Sequence, residues 1–293
     1  MRIVTLLENN ISPRAAITAD TNELKNAHGL SLYLETANHR ILFDMGPGDE
    51  IAHNARNLGI DLAAVDLAAI SHGHYDHGGG LATFLSLNTT APFYTTVRAF
   101  ENHYSEAGWI GLDPQLEHHP QHRIAQLVDE IAPGVTLFSN VENHDLPSPA
   151  NDCLRDDAGL DHFEHEQNLL VAEGSTLVLI GGCAHRGIVN IIEAAKQIAG
   201  RYPDVVISGF HLAIGGKGAC AVDDTYLDEF ATRLIQTGAT FYTGHCTGSE
   251  DTSALLSVWV EYFILVIQAT KSSYEAKGSV IQRCVIRRVV SLV

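Results

Sequence analysis

Positive charge is scarce in this chain. Lysine and arginine total 18 against 35 acidic residues in 293, a formal net charge of −17. That excess of acid repels phosphate backbones, so no nucleic-acid partner is expected. The few cations are unevenly spread: from Thr270 onward Lys271, Lys277, Arg283, Arg287 and Arg288 stand against one acid, Glu275. Only this tail could favour an anionic partner, and a solvated charged strand or helix face explains it more simply. Cysteine is limited to five residues with no CxxC pair, which argues against a disulfide framework. Long apolar runs are missing as well. Ile3 to Leu7 is too short for a signal peptide's apolar region. Leu255 to Ile267 contains Glu261 and falls short of the roughly 20 residues that cross a bilayer. No membrane partner is expected, and the second run reads as a buried helix of a cytoplasmic protein. Low-complexity segments and internal repeats are absent. Hydrophobic residues make up 45% and charged ones 18%, the composition of a soluble chain able to bury a substantial core.

What the chain has in quantity is histidine, 16 in all, set within an alternation of short strands and helices. Met1 to Leu7, Leu30 to Glu35, Arg40 to Phe43 and Leu67 to Ile70 read as strands, with helices at Ile51 to Leu58 and from Leu81. The stretch from about 95 to 165 has weak periodicity and carries His103, His118, His119, His122, His144, His162 and His165. Its length marks it as an elaborated, lid-like region over a site, with one helix at Arg123 to Ile131. Its histidines read as surface or lid residues rather than ligands. Strands then follow at Asn168 to Val171, Thr176 to Ile180, Val205 to Ser208 and Thr240 to Thr243, with helices at Ile188 to Ala199 and Asp224 to Thr237. The pattern predicts a layered α/β fold, with residues 1–293 read as a single domain.

Chemistry concentrates in Ser71-His72-Gly73-His74-Tyr75-Asp76-His77, directly after an apolar strand. On a strand His72 and His74 point to one side and can share a metal ion, while the turn that follows lets Asp76 and His77 face a second. Neutral imidazoles with a carboxylate suit zinc first, and iron or manganese also. Two later histidines, His185 and His245, sit in Gly-rich turns after strands, where ligands gather in α/β proteins. Cys183 and Cys246 flank them, and a free cysteine in such a place reads as small buried packing.

These residues resemble the metallo-β-lactamase superfamily. More narrowly, the chain is similar to the subgroup called 7,8-dihydropterin-6-methyl-4-(β-D-ribofuranosyl)aminobenzene-5′-phosphate synthase-like. Beyond the histidine motif, the likeness runs through Ile41-Leu42-Phe43-Asp44-Met45-Gly46, Gly182-Cys183-Ala184-His185-Arg186-Gly187, Gly209-Phe210-His211-Leu212 and Gly244-His245-Cys246-Thr247-Gly248. The resemblance implies an αββα metallo-β-lactamase sandwich with two divalent ions. His72, His74 and His185 would hold the first, and Asp76, His77 and His245 the second. Asp44 matches an acid that supports the metal loop, although a lone Asp after a strand can equally be a turn residue. Where many members carry a bridging Asp, this chain has His211, whose single nitrogen cannot bridge two ions. His211 can be a terminal ligand, a substrate contact or a proton donor. The sequence after Gly278 departs from the family's usual end, and nothing is carried over there.

The expected reaction is attack by a metal-activated hydroxide on an ester, lactone or phosphodiester of a small anionic molecule. Coordination lowers the pKa of water from about 15.7 towards about 7. Asp76 and His211 are the candidate catalytic side chains. Arg186, at the start of the Ile188 helix, is a candidate for binding an anionic group, and His28 and His211 are further candidate substrate contacts. Two other functions stay open: condensation of a pterin diphosphate with an aminobenzene ribotide, and a non-catalytic metal-stabilised sensor. A homodimer is also open, since Leu255 to Ile267 can bury in the core or at an interface.

Overall fold

The computed structural model describes residues 1–9, 24–142, 145–213, 222–248, 263–265, 275–276 and 279–280. Two sheets organise it, each in strict chain order. The first contains β1 (Arg2–Leu7), β2 (Ser31–Glu35), β3 (Arg40–Phe43), β4 (Leu67–Ala69), β5 (Phe93–Thr95) and β6 (His122–Ile124). The second contains β7 (Val128–Ala132), β8 (Val135–Phe138), β9 (Asn168–Glu173), β10 (Thr176–Ile180), β11 (Val205–Ile207), β12 (Thr240–Thr243) and β13 (Phe263–Leu265). In both, the strands pair antiparallel up to β3 or β10 and parallel from there on. Parallel neighbours need crossovers. The helix α1 (Glu50–Asn57) fills the one from β3 to β4, and α2 (Tyr75–Gly78) with α3 (Leu81–Leu87) the one from β4 to β5. In the second sheet α4 (Ile188–Ala199) and α5 (Asp224–Ile235) do the same for β10 to β12. The two halves thus share a plan that no sequence repeat announces.

Alternation along the strands sorts the core into three layers. Leu32, Leu34, Ile41 and Phe43 face Leu137, Leu169, Val178 and Ile180 between the sheets. Their neighbours Tyr33 and Leu42 face Ile51, Leu81 and Phe84 of α1 and α3. On the far side Leu177, Leu179 and Phe241 pack against Ile191, Ile192 and Phe230 of α4 and α5. This is the αββα sandwich expected from the resemblance.

The helix expected at Arg123 to Ile131 is not there; the segment forms β6 and β7 with a bend between them. Its apolar residues do recur at helical spacing, yet Ile124, Leu127 and Val128 are exposed. Pairing decides the outcome. β6 adds to β5 and β7 to β8, so the segment satisfies backbone groups that would otherwise edge both sheets. Elsewhere in 95–165, two short hairpins at 103–109 and 155–160 join in a four-stranded sheet. No α-helix occurs among the described residues of that stretch; His144 lies outside them. The helix expected at Leu255 to Ile267 is also corrected in part. Residues 263–265 are strand β13, parallel to β12, and the rest of that run lies outside the described residues. Parallel strands themselves read as continuous apolar runs, which is why composition could not tell the two apart. Of the basic tail, Glu275–Ala276 pairs with Ser279–Val280, and its remainder lies outside the described residues. Among the described residues no helix is long and apolar enough to cross a membrane.

Candidate metal centre

The candidate donors and their nearest neighbours hang from the carboxyl ends of strands. Glu8 and Asn9 follow β1, Asp44 follows β3 and Ser71 to His77 follow β4. Cys183 and His185 follow β10, His211 follows β11, and His245 and Cys246 follow β12. Four of these turns put a non-glycine residue in the left-handed region: Asp44 at φ 60°, Ala184 at 56°, His211 at 48° and His245 at 50°. Such conformations cost on the order of 1–3 kcal/mol each and persist where the surroundings over-determine them. Here they turn the chain sharply, so that side chains gather over the strand ends.

The donors fall into two adjoining sets. His72, His74 and His185 each bring one donor atom within 4.8 Å of the others, with His72 and His185 Nε2 3.3 Å apart. Beside them, Asp76 Oδ2 lies 3.3 Å from His245 Nε2 and 3.7 Å from His77 Nε2, and those two nitrogens are 3.1 Å apart. The rings of His72 and His77, one from each set, have centroids 4.2 Å apart. All six residues are buried.

Hydrogen bonds decide which nitrogen each imidazole presents. Nδ1 of His77 donates to Asp44 Oδ2 at 2.7 Å, and that carboxylate also accepts from the backbone N–H and hydroxyl of Ser71. Nδ1 of His72 meets Ser71 Oγ at 2.8 Å, Nδ1 of His185 meets Asn151 Oδ1 at 3.0 Å, and Nδ1 of His245 meets Asn9 Oδ1 at 2.9 Å. Four imidazoles therefore carry a proton on Nδ1 and point Nε2 inward, which is how an acceptor behind the ring prepares a metal ligand. His74 brings one of its two nitrogens to the same group, and its Nε2 is sealed away from solvent without a hydrogen-bond partner.

Protonation fits the same use. Burial, aided by the other histidines, pushes His72, His74 and His185 well below the ordinary imidazole pKa and keeps them neutral. Burial alone would raise Asp76, but His77, His245 and His28 around it prevail and hold its carboxyl well below the usual range. Burial disfavours charge on His245, yet its bond to Asp76 prevails and lifts it to about 9, so without an ion this ring also holds a proton on Nε2, which a metal would displace. Neutral imidazoles and a carboxylate that attracts positive charge are the donor forms a divalent cation requires.

The remaining expected residues lie around this core. His28 Nε2 is 3.4 Å from Asp76 Oδ2 with a half-exposed side chain, at the mouth of the second set. His211 stands with its ring 4.2 Å from that of His185, and neither of its nitrogens has a hydrogen bond. Arg186 is turned to the backbone: Nε and Nη2 donate to Val141 O, and Nη1 to His162 O.

Several contributors were not picked out from the sequence. Glu8 accepts the N–H of His245. Glu166, raised by burial to about 7, accepts the N–H groups of His185 and Arg186. Asn9 and Asn151 fix ring orientations, as above. The available signal was a polar residue directly after a buried strand, and for Glu8 and Asn9 it was visible. Behind His74 lies a further layer: His103 Nδ1 and His165 Nε2 both meet Asp161 Oδ2, at 3.0 and 3.1 Å. These three residues are buried, not the lid surface expected for His103 and His165. Because His165 Nδ1 accepts the N–H of Gly73, its proton is on Nε2 and goes to Asp161. The layer is thus built to brace the loop rather than to hold a cation. Gly73 fits there for want of a side chain, since a Cβ would stand 2.4 Å from Ala99 O and 2.7 Å from His103 Nε2.

Known proteins share this arrangement. A family model described as the metallo-beta-lactamase superfamily matches residues 26–193, more than half the chain. An uncharacterized protein of Methanocaldococcus jannaschii is 26% identical over 227 residues, covering 75% of this chain and 84% of that one. The 7,8-dihydropterin-6-methyl-4-(beta-D-ribofuranosyl)-aminobenzene-5'-phosphate synthase of the same organism is 25% identical over 259 residues, covering 80% and 86%. Among solved structures, a metal-dependent hydrolase of the beta-lactamase superfamily superposes with a TM-score of 0.70 at 26% identity, over 90% of this chain and 95% of that one. With five of the six donors inside the matched segment and the sixth brought beside them by β12, the chain belongs to the metallo-beta-lactamase superfamily.

Proposed function

We propose that this chain is a metal-dependent hydrolase acting on an ester, lactone or phosphodiester of a small anionic molecule. The observation that carries the reading is the adjacency of two buried donor sets, with His77 and His245 Nε2 3.1 Å apart beside the Asp76 carboxylate. His72, His74 and His185 would hold one divalent ion and Asp76, His77 and His245 the other, zinc being the first choice for imidazole-rich sites. Ions bound there would supply a nucleophile from water at neutral pH and polarise the oxygen that gains charge. The protein's own part is preorganisation. Asp44, Ser71, Asn151 and Asn9 hold four rings in one tautomer, so little rearrangement is left for the reaction. His28, half exposed beside Asp76, is placed to donate to a substrate oxygen or to the leaving group. His211, with both nitrogens uncommitted to hydrogen bonds, serves as substrate contact or proton donor.

Elemental analysis of protein purified without added metal tests the centre, with His74→Ala as control. About two atoms per chain, lost in the control, are expected. The loaded protein is then assayed against a panel of phosphodiesters and lactones. Binding without turnover across that panel would replace the hydrolase with a sensor. The synthase relative favours a second enzymatic reading, a condensation that releases diphosphate. Release of diphosphate from a hydroxymethylpterin diphosphate, with no hydrolysis in the panel, would decide for it.

A further inference from the structure

Two cysteines from different turns meet beneath the second donor set. Cys183 follows β10 and Cys246 follows β12, and β11 is paired between those strands. The residue that separates the two turns is Gly209, just past β11. Its N–H donates to Gly182 O at 2.8 Å, and a Cβ on it would stand 2.4 Å from Cys246 Sγ. The Cys246 sulfur therefore occupies space that a side chain at 209 would fill. From there it reaches the turn after β10, 3.5 Å from Cys183 O, and the two sulfurs lie within 4.8 Å of one another. Both residues are buried and both thiols are free. Of the other cysteines, Cys153 donates to Ala150 O, while Cys220 and Cys284 lie outside the described residues.

We propose that Cys183 and Cys246 form an oxidation site, a thiol pair that a hydroperoxide closes to a disulfide and a dithiol reopens. One sulfur attacks the peroxide: the O–O bond breaks, an S–O bond forms, and the thiol proton leaves with the departing oxygen. The other sulfur then attacks this sulfenic acid, so that the S–O bond breaks, the S–S bond forms and water departs. Two electrons pass from the sulfurs to the peroxide. A dithiol reverses the step by exchange and is itself oxidised to a disulfide.

Closure brings the sulfurs from their present separation to bonding distance and so draws the two turns together. Cys246 is the chain neighbour of His245, and Cys183 Sγ stands 3.1 Å from His77 Nε2. The movement thus falls on the set of Asp76, His77 and His245. Oxidation would weaken the ion held there, a consequence that rests on the two-ion reading above.

The full chain, stripped of metal by chelator, is exposed to hydrogen peroxide, alkylated and mapped without reduction. The expected result is loss of two of the five thiols, with a peptide linking Cys183 to Cys246. Dithiothreitol should reverse the link, and Cys183→Ser or Cys246→Ser should abolish it. Zinc titration with chelator competition then compares the oxidised and reduced protein. Oxidation should weaken one equivalent by at least about tenfold, the lower end of what a disturbed outer partner costs, and reduction should restore it. No loss of thiols, a sulfinic acid without the linked peptide, or a link to another cysteine would overturn the site. Linked protein that binds two zinc as tightly as the reduced form would overturn the effect on the centre. Uptake of fewer than two zinc by the reduced protein would overturn the two-ion reading instead, and the linked peptide would still decide the oxidation site.

Discussion

The backbone N–H of Gly73 donates to Nδ1 of His165 at 2.9 Å, across 92 positions of sequence. The peptide held in this way lies between His72 and His74, so the geometry of the first donor set depends on a side chain outside it. His165 is aimed in turn by Asp161, which also takes the Nδ1 of His103.

Asp161→Asn should loosen that chain, because an amide is uncharged and its single oxygen cannot serve both the imidazoles at Oδ2 and the Phe163 N–H at Oδ1. Affinity for the more tightly held equivalent of zinc is expected to fall roughly 10–100-fold, the usual cost of losing an outer partner. Chelator competition measures it. Unchanged affinity would leave the layer as simple core packing.

Asp44 does the corresponding work for His77. In Asp44→Asn, one carboxylate oxygen that now serves His77 and Ser71 becomes an amide nitrogen or loses its charge. We expect loss of one metal equivalent on dialysis, with the other retained, read by elemental analysis. Stripping both ions with chelator should lower the thermal midpoint of the unaltered protein, because whatever binds only the folded state stabilises it.

Arg186 separates two roles in one experiment. Its guanidinium bonds to Val141 O and His162 O predict that Arg186→Ala costs about 1.5–3 kcal/mol of stability, the range for hydrogen bonds to a charged group. KM for an anionic substrate should then change little. A raised KM with unaltered urea midpoint would make it the anion contact suggested by its position at α4.

His122 offers a test of pH dependence away from the centre. It stacks on Phe93 with rings 4.8 Å apart, bonds Thr95 Oγ1 at 2.7 Å, and burial lowers its pKa from 6.5. The folded state then binds fewer protons than the unfolded one, so this residue's contribution falls as pH drops through about 6.5. In His122→Phe, which keeps the stack, the urea midpoint should fall less between pH 8 and pH 5 than in the unaltered chain. Parallel pH profiles for the two proteins would contradict it.

The core of the site could be read from sequence because its signals are local. His72 to His77 is one segment at the end of one strand, and His185 and His245 each sit in a glycine-rich turn after another. Strand ends on one edge of a sheet converge by topology alone, so spacing was enough. The bracing groups had no such signal. Asn151 and Asp161 come from a region without periodicity; Asn151 reaches His185 across 34 positions and Asp161 reaches His103 across 58. Arg123 to Ile131 shows the opposite failure: a clear helical spacing that yielded to the unsatisfied edges of two sheets.

The two sheets, built to the same plan, also set what an ion would do to the chain as a whole. Each donor set draws two residues from the turn after β4 in the first sheet and one from the second, His185 or His245. A bound ion would be a cross-link closing a loop of more than a hundred residues, and two would close the molecule like paired staples across its seam. Neither half holds a complete set. A fragment containing either sheet alone would have no complete set to offer an ion.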